Sequence, residues 1–174
     1  MLSYDPETGD LRWLVRPAKQ SPARAGDLVT LLKMSKVPYP YLRYKGRLYL
    51  VHRIVWKWVT GEDLPDGLMV DHKDRDPYNN RWGNLRPATS AQNAQNSSRG
   101  ENRNISKRGD RWIVRIQANG LKINQEGFES EAAAREAAKK LRALHHGEFA
   151  TDNSESPEAV RKRFWLESGR PSGV

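Results

Sequence analysis

Leu68-Met69-Val70-Asp71-His72-Lys73-Asp74-Arg75-Asp76-Pro77-Tyr78-Asn79-Asn80 passes within five residues from an apolar run to a run of acids and amides. The first five predict a brief strand, and Lys73 to Asn80 predict the polar turn after it. A return strand is expected around Leu85, followed by a helix from Thr89 to Asn96 with Thr89 or Ser90 as N-cap. The order is strand, loop, strand, helix. Asp71 and His72 fall at the end of the first strand, and Asn84 and Asn93 follow on the next elements.

Upstream of this stretch, Tyr4 to Trp13 reads as a short hairpin, and the β-prone runs of Tyr39 to Val51 flank Lys45-Gly46 as a second one. His52 to Val59 is too densely apolar for simple alternation and stops at Thr60-Gly61, which predicts a short buried helix. Downstream, Gln95 to Asn104 has almost no apolar residue and reads as an extended linker. Arg111 to Ala118 and Leu121 to Phe128 then alternate around Gly120, and Ser130 caps a helix carrying Ala134, Ala137, Ala138, Leu141 and Leu144, which Gly147 ends. This second module is expected to be an antiparallel sheet covered on one face by one helix, with the other face open. Ser156-Pro157-Glu158 gives a further helix-start signal, with Val160, Phe164 and Trp165 as docking residues.

The 174 residues carry thirty Lys and Arg against twenty-one Asp and Glu, a formal charge of +9. Mean hydropathy is −0.85, which leaves material for small cores only. The charge is uneven. Residues 99–125 hold seven basic and two acidic groups, whereas residues 71–98 hold four and three. In the basic stretch Arg111 and Arg115 alternate with Trp112, Val114 and Ile116, so the cations line one surface, which suits a polyanion. No apolar run approaches the roughly 18 residues of a membrane span, and Met1 opens onto Asp5, Glu7 and Asp10 rather than a greasy leader. The expectation is a cytoplasmic protein that meets a polyanion, without a membrane or small-molecule partner, as a monomer. With no cysteine there is no disulfide, Cys nucleophile or thiolate zinc site, so a metal must be held by oxygen or imidazole nitrogen.

Four histidines differ in setting. His145 and His146 end a helix, where cations complement the dipole, and His52 opens an apolar helix in a structural or orienting role. His72 follows Asp71 at a strand end, ahead of Asp74, Asp76, Asn79 and Asn80. Imidazole can act as a base near neutral pH, and a carboxylate with an amide oxygen suits Mg²⁺, which keeps several waters. That chemistry fits phosphodiester hydrolysis. Neighbouring strand residues point to opposite faces, which counts against one shared site. Taken singly, the loop acids and amides are explained equally well by Asx turns.

Val51-His52-Arg53, Val70-Asp71-His72-Lys73-Asp74, Asn79-Asn80, Gly83-Asn84-Leu85-Arg86 and Gln92-Asn93-Ala94-Gln95-Asn96 resemble the HNH endonucleases of phages and group I introns, in the form where Asn replaces the last His. The resemblance spans residues 51–96. It implies a ββα-metal fold with His72 as general base, Asp71 and Asn93 as ligands of one Mg²⁺ (Mn²⁺ substituting), and Asn84 bracing the loop and orienting His72. It also implies that Asn80 stabilises the turn.

Asn104-Ile105-Ser106, Trp112 to Gln117, Gly127-Phe128 and His146 to Ala150 resemble the ethylene-response-factor (Apetala-type) DNA-binding domain. That resemblance implies a three-stranded sheet laid in the major groove of double-stranded DNA, contacting it through Arg103, Arg108, Arg115, Gln117, Lys122 and Asn124. Asn124 departs from the aromatic common there. The expected organisation is α+β: an N-terminal hairpin region (1–50), the nuclease module (51–98), a linker (99–104), the DNA-binding module (105–150) and a tail (151–174). The expected activity is a nicking or site-specific cut leaving 5′-phosphate and 3′-hydroxyl. One alternative is a DNA-binding regulator with a non-catalytic hairpin. Another is an RNA binder, which the mostly buried placement of the aromatics disfavours.

Overall fold

The structure is a computed structural model that describes residues 2–35, 37–96, 104–118 and 120–150. It is mixed α and β, with small antiparallel sheets and three α-helices among the described residues, in two compact units divided between Ser90 and Ala91.

In the first unit, β1 (Leu2–Tyr4) and β2 (Leu11–Trp13) form the expected N-terminal hairpin. β3 (Leu32–Met34), β4 (Val37–Tyr44) and β5 (Arg47–Leu50) form a three-stranded sheet. The β4–β5 turn is Lys45-Gly46, both at positive φ, as a two-residue hairpin turn that follows the strand twist requires. β3 was not anticipated; its three residues are too few to show a period.

The chain runs from β5 directly into α1 (Val51–Thr60), which Gly61 closes in a left-handed conformation. Val51 and Val55 are buried, but Trp58 and Val59 are exposed, so the helix expected to be buried is amphipathic. β6 (Leu68–His72) and β7 (Leu85–Thr89) pair antiparallel, and α2 (Ser90–Asn96) follows at once, in the strand, strand, helix order the sequence suggested. Leu11, Trp13, Val29, Leu42, Val51, Val55, Val70 and Leu85 pack in one cluster, so residues 1–50 and the β6–β7 hairpin share a core. Burial of these side chains is the main force that fixes the hairpin.

In the second unit, β8 (Ile105–Arg108), β9 (Arg111–Ala118) and β10 (Leu121–Phe128) form a sheet with β9 central. α3 (Glu131–His146) lies on it, capped by Ser130, whose hydroxyl accepts from the Ala133 N–H at 3.1 Å. Val114 and Ile116 meet Ala134 and Ala138 beneath the helix, with Trp112 packed beside them. The small alanines let the helix approach the sheet closely. The opposite face is not open throughout, as the sequence had suggested. Ile113, which strand alternation puts on that face, is only 2% exposed. Most of the linker (97–103) and the tail (151–174) lie outside the described residues.

Candidate active site

β6 ends in Asp71 and His72, and the β6–β7 register sets their neighbours. Asp71 lies opposite Arg86 and His72 opposite Leu85. Each of the two is 4% exposed. Arg86 Nε donates to Asp71 Oδ2 at 2.8 Å, and its Nη2 lies 2.8 Å from the same oxygen as an ion pair. A carboxylate so buried needs such a partner, because desolvating a lone charge is expensive. His72 meets a different set of groups, as alternation along a strand predicts.

The loop after His72 is tied by its own side chains. Asp74 Oδ1 accepts from the Asp76 N–H at 2.9 Å and Asp76 Oδ1 from the Tyr78 N–H at 3.0 Å. These are the Asx turns that the loop composition allowed. Asn84 is the centre of the brace. Its Nδ2 donates to Asp74 Oδ1 at 2.9 Å and to the Asn79 carbonyl at 2.8 Å, while its Oδ1 accepts from the Asp74 N–H at 3.1 Å. Asn79 Nδ2 closes the knot on Asp74 Oδ2 at 2.6 Å. Arg75 turns the chain at φ 67°, its N–H returning to the His72 carbonyl at 2.9 Å.

Asn84, expected to brace the loop and orient His72, makes its side-chain bonds to Asp74 and Asn79. The amide on the imidazole is that of Asn80, whose Oδ1 lies 3.3 Å from His72 Nε2. Asn80 Nδ2 donates to the Tyr78 carbonyl at 3.2 Å, which fixes the amide so that its oxygen faces the ring. In the tautomer that makes this bond, Nε2 carries the ring proton and donates it to the amide oxygen. Asn84 braces the loop, and Asn80 does more than hold the turn.

Asn80 is itself held by the N-terminal hairpin. The Tyr4 hydroxyl donates to the Asn80 carbonyl at 2.7 Å, and the Trp82 N–H to the Pro6 carbonyl at 3.1 Å. Burial pushes the Tyr4 hydroxyl up to about 12, helped by Asp5, so it remains a donor. Gly9, at φ 76°, lies so close that a Cβ there would sit 2.7 Å from the Arg81 nitrogen.

Two further rings enclose His72. Tyr39 stacks on it, with centroids 6.0 Å apart, and His52 meets it edge-on at 5.4 Å. Burial pushes the His72 pKa below the ordinary histidine range, against the opposing pull of Asn80, Asp74 and Asp71. The ring is thus neutral near pH 7, as a base must be.

Of the other residues expected to act, Asn93 lies half-buried on α2 in the second unit. Arg108, Arg115, Gln117, Lys122 and Asn124 are exposed on the β8–β10 sheet. Lys122 pairs with Gln117 and Asn124 with Arg115, and directly opposed residues share a face. Arg103 lies outside the described residues. Sequence reasoning missed the roles of Tyr39, Tyr4, Gly9 and Arg86. Only Arg86 had a signal, since laying Leu68–His72 against Leu85–Thr89 sets it opposite Asp71.

As for a metal, no group of three or more His, Cys, Asp or Glu suited to holding one occurs among the described residues. The donors at hand are the Asp71 carboxylate and side-chain amides. Such a set fits a hard ion that keeps waters and takes few protein ligands, as Mg²⁺ does, and not a caged zinc.

Residues 49–95 match the family model described as HNH endonuclease. The DNA endonuclease I-HmuI of Bacillus phage SP01 is 32% identical over 103 residues, which cover 59% of each chain. No solved structure matches. The family match takes in His52, Asp71, His72, Asn80, Asn84 and Asn93 together, so residues 49–95 are similar to the HNH endonucleases over the part of the site that they build.

Proposed function

We propose that the protein is a metal-dependent DNA endonuclease that hydrolyses one phosphodiester bond per encounter in double-stranded DNA, leaving 5′-phosphate and 3′-hydroxyl ends. The observation that carries this reading is the His72 site itself. A buried imidazole sets its Nε2 against the Asn80 amide oxygen, beside a carboxylate anchored by Arg86.

In this reading His72 Nδ1 takes the proton of the attacking water, and Asn80, accepting at Nε2, holds the ring's orientation as it charges. The water oxygen bonds to phosphorus as the bond to the 3′ oxygen breaks. Asp71 and Asn93 would hold Mg²⁺, or Mn²⁺ in its place, with β6–β7–α2 as the ββα-metal module. A bound divalent ion supplies charge neutralisation at the phosphate and the leaving oxygen. Asn84 acts through the loop, holding Asp74 and Asn79 so that Asn80 stays in place.

The β8–β10 sheet is proposed to grip DNA in the manner of an ethylene-response-factor domain. Arg115 and Gln117 are placed to read base edges, while Arg108 and Lys122 meet phosphate. The organisation proposed is the one set out above, residues 51–98 cutting and residues 105–150 binding. With one site per chain, a monomer nicks.

The test is supercoiled plasmid incubated with Mg²⁺, with EDTA, or with the His72→Ala protein. Nicked circles should form with Mg²⁺ alone. Cutting undiminished in EDTA would exclude the metal, and a His72→Ala protein that cuts at the parent rate would exclude the base. The buried Asp71–Arg86 pair favours a second reading, a DNA-binding regulator whose hairpin is structural. That reading expects DNA binding and no nicking under any of these conditions.

A further inference from the structure

His52 has no part in the reaction above, yet the fold brings it to the reacting base. The β4–β5 register pairs Tyr41 with Leu50. β5 runs straight into α1, whose second residue is His52, and Tyr39 lies two residues before Tyr41 on β4. Their rings meet edge to face with centroids 4.8 Å apart. With the 5.4 Å contact from His52 to His72 and the 6.0 Å stack of Tyr39 on His72, three rings from β4, α1 and β6 close a triangle.

Two facts say what His52 contributes. It is buried, and its Nδ1 has no hydrogen-bond partner among the described residues, so it offers His72 a ring edge. Burial also pushes its pKa down to about 3, with the neighbouring His72 the next cause, so it carries no charge in the working range. The bond from His72 to Asn80 spans 3.3 Å. The Tyr39 and His52 rings add a packing constraint to it.

We infer that His52 is a positioning residue, which with Tyr39 clamps the His72 imidazole in the orientation that keeps Nε2–H on Asn80. The inference rests on the proposal that His72 is the base, but the clamp can be read without cleavage. A cleft of about 190 Å³, lined in part by Tyr39, His52, Leu68 and Val70, already adjoins the His52 ring. Truncation at His52 therefore extends an existing space.

The experiment compares the full chain with His52→Ala and His52→Phe in three measurements: single-turnover nicking with Mg²⁺, DNA affinity in EDTA, and the imidazole ¹⁵N resonances of His72, assigned by their loss in His72→Ala. His52→Ala should slow nicking by about 10- to 100-fold, the scale on which small misplacements act, with affinity changed less than two-fold. The His72 spectrum should pass from one Nε2–H tautomer to a mixture. His52→Phe, which keeps an aromatic edge, should restore the single tautomer and bring nicking within about three-fold of the parent.

A folded His52→Ala protein with the parent's rate and spectrum overturns the clamp. So does a folded His52→Phe protein as impaired as His52→Ala. If His52→Ala does not fold, Tyr39→Leu removes the other side of the triangle and carries the same expectations. A parent that never nicks DNA, with the spectral change still present, rejects the nuclease reading and leaves the clamp standing.

Discussion

The β6–β7 hairpin and the β8–β10 sheet treat polar residues in opposite ways. In the hairpin, Asp71, His72, Asn80 and Arg86 are buried, and each is held by a named partner. On the sheet, Arg108, Arg115, Gln117, Lys122 and Asn124 stand exposed, with none of these contacts to hold them. Chemistry at a single bond needs groups fixed within fractions of an ångström, and burial with full hydrogen bonding provides that. Gripping a polyanion needs charge more than precision, and long mobile side chains provide it.

The largest expected effect tests whether these tasks separate. His72→Ala should lower nicking by about 10²- to 10⁴-fold, the range for a general base, with DNA affinity in EDTA unchanged. Equal losses in both would mean that the hairpin and the sheet do not divide the work. Next in size is Gly9→Ala. Non-glycine residues at such φ cost roughly 1–2 kcal/mol, and the added Cβ would sit 2.7 Å from backbone, so Asn80 must shift. The expected result is a melting temperature several degrees lower and slower nicking per folded molecule. A Gly9→Ala protein with unaltered nicking would show that the N-terminal hairpin does not hold Asn80 in place.

Much of this architecture was legible in residue order. Leu68–His72, Arg111–Ala118 and Leu121–Phe128 are the strands their alternation or turn signals predicted, and Ser130 and Gly147 bound the helix they were expected to bound. These signals are local, so a single sequence carries them. What it did not carry was which amide reaches His72. Asn80 and Asn84 are four residues apart in one loop, and choosing between them requires the fold of the Asx turns and the Tyr78 contact. Nor could it carry the Tyr39–His52–His72 triangle, because ring contacts between β4, α1 and β6 leave no periodic trace. The burial of Ile113 on the face expected to be open is likewise a tertiary fact.

The buried half of the comparison also predicts a pH response. His52 titrates near 6.5 in an unfolded chain but at about 3 when folded, so the unfolded state binds more protons between those values. Stability present above pH 6.5 is therefore lost as pH falls towards 3, at up to about 1.4 kcal/mol per unit from this residue. Denaturant titrations of the parent and His52→Phe between pH 7 and 5 should diverge, the parent losing about 1–2 kcal/mol more. Parallel curves would mean that His52 is solvated.

The exposed half yields the smallest effect. Lys122 lies opposite Gln117 on an exposed face and has no ion pair among the described residues. If it meets one phosphate, Lys122→Ala should weaken DNA binding similarly for all sequences and reduce the slope of log affinity against log salt by about one unit. Arg115→Ala, at a position proposed to read base edges, should instead weaken binding more for a preferred sequence than for a random one. The contrast between a salt effect at one residue and a sequence effect at the other would show the sheet lying with its centre in the groove and Lys122 towards the backbone. An unchanged salt slope for Lys122→Ala would move that residue off the DNA and leave the gripping role to the basic residues around Arg108.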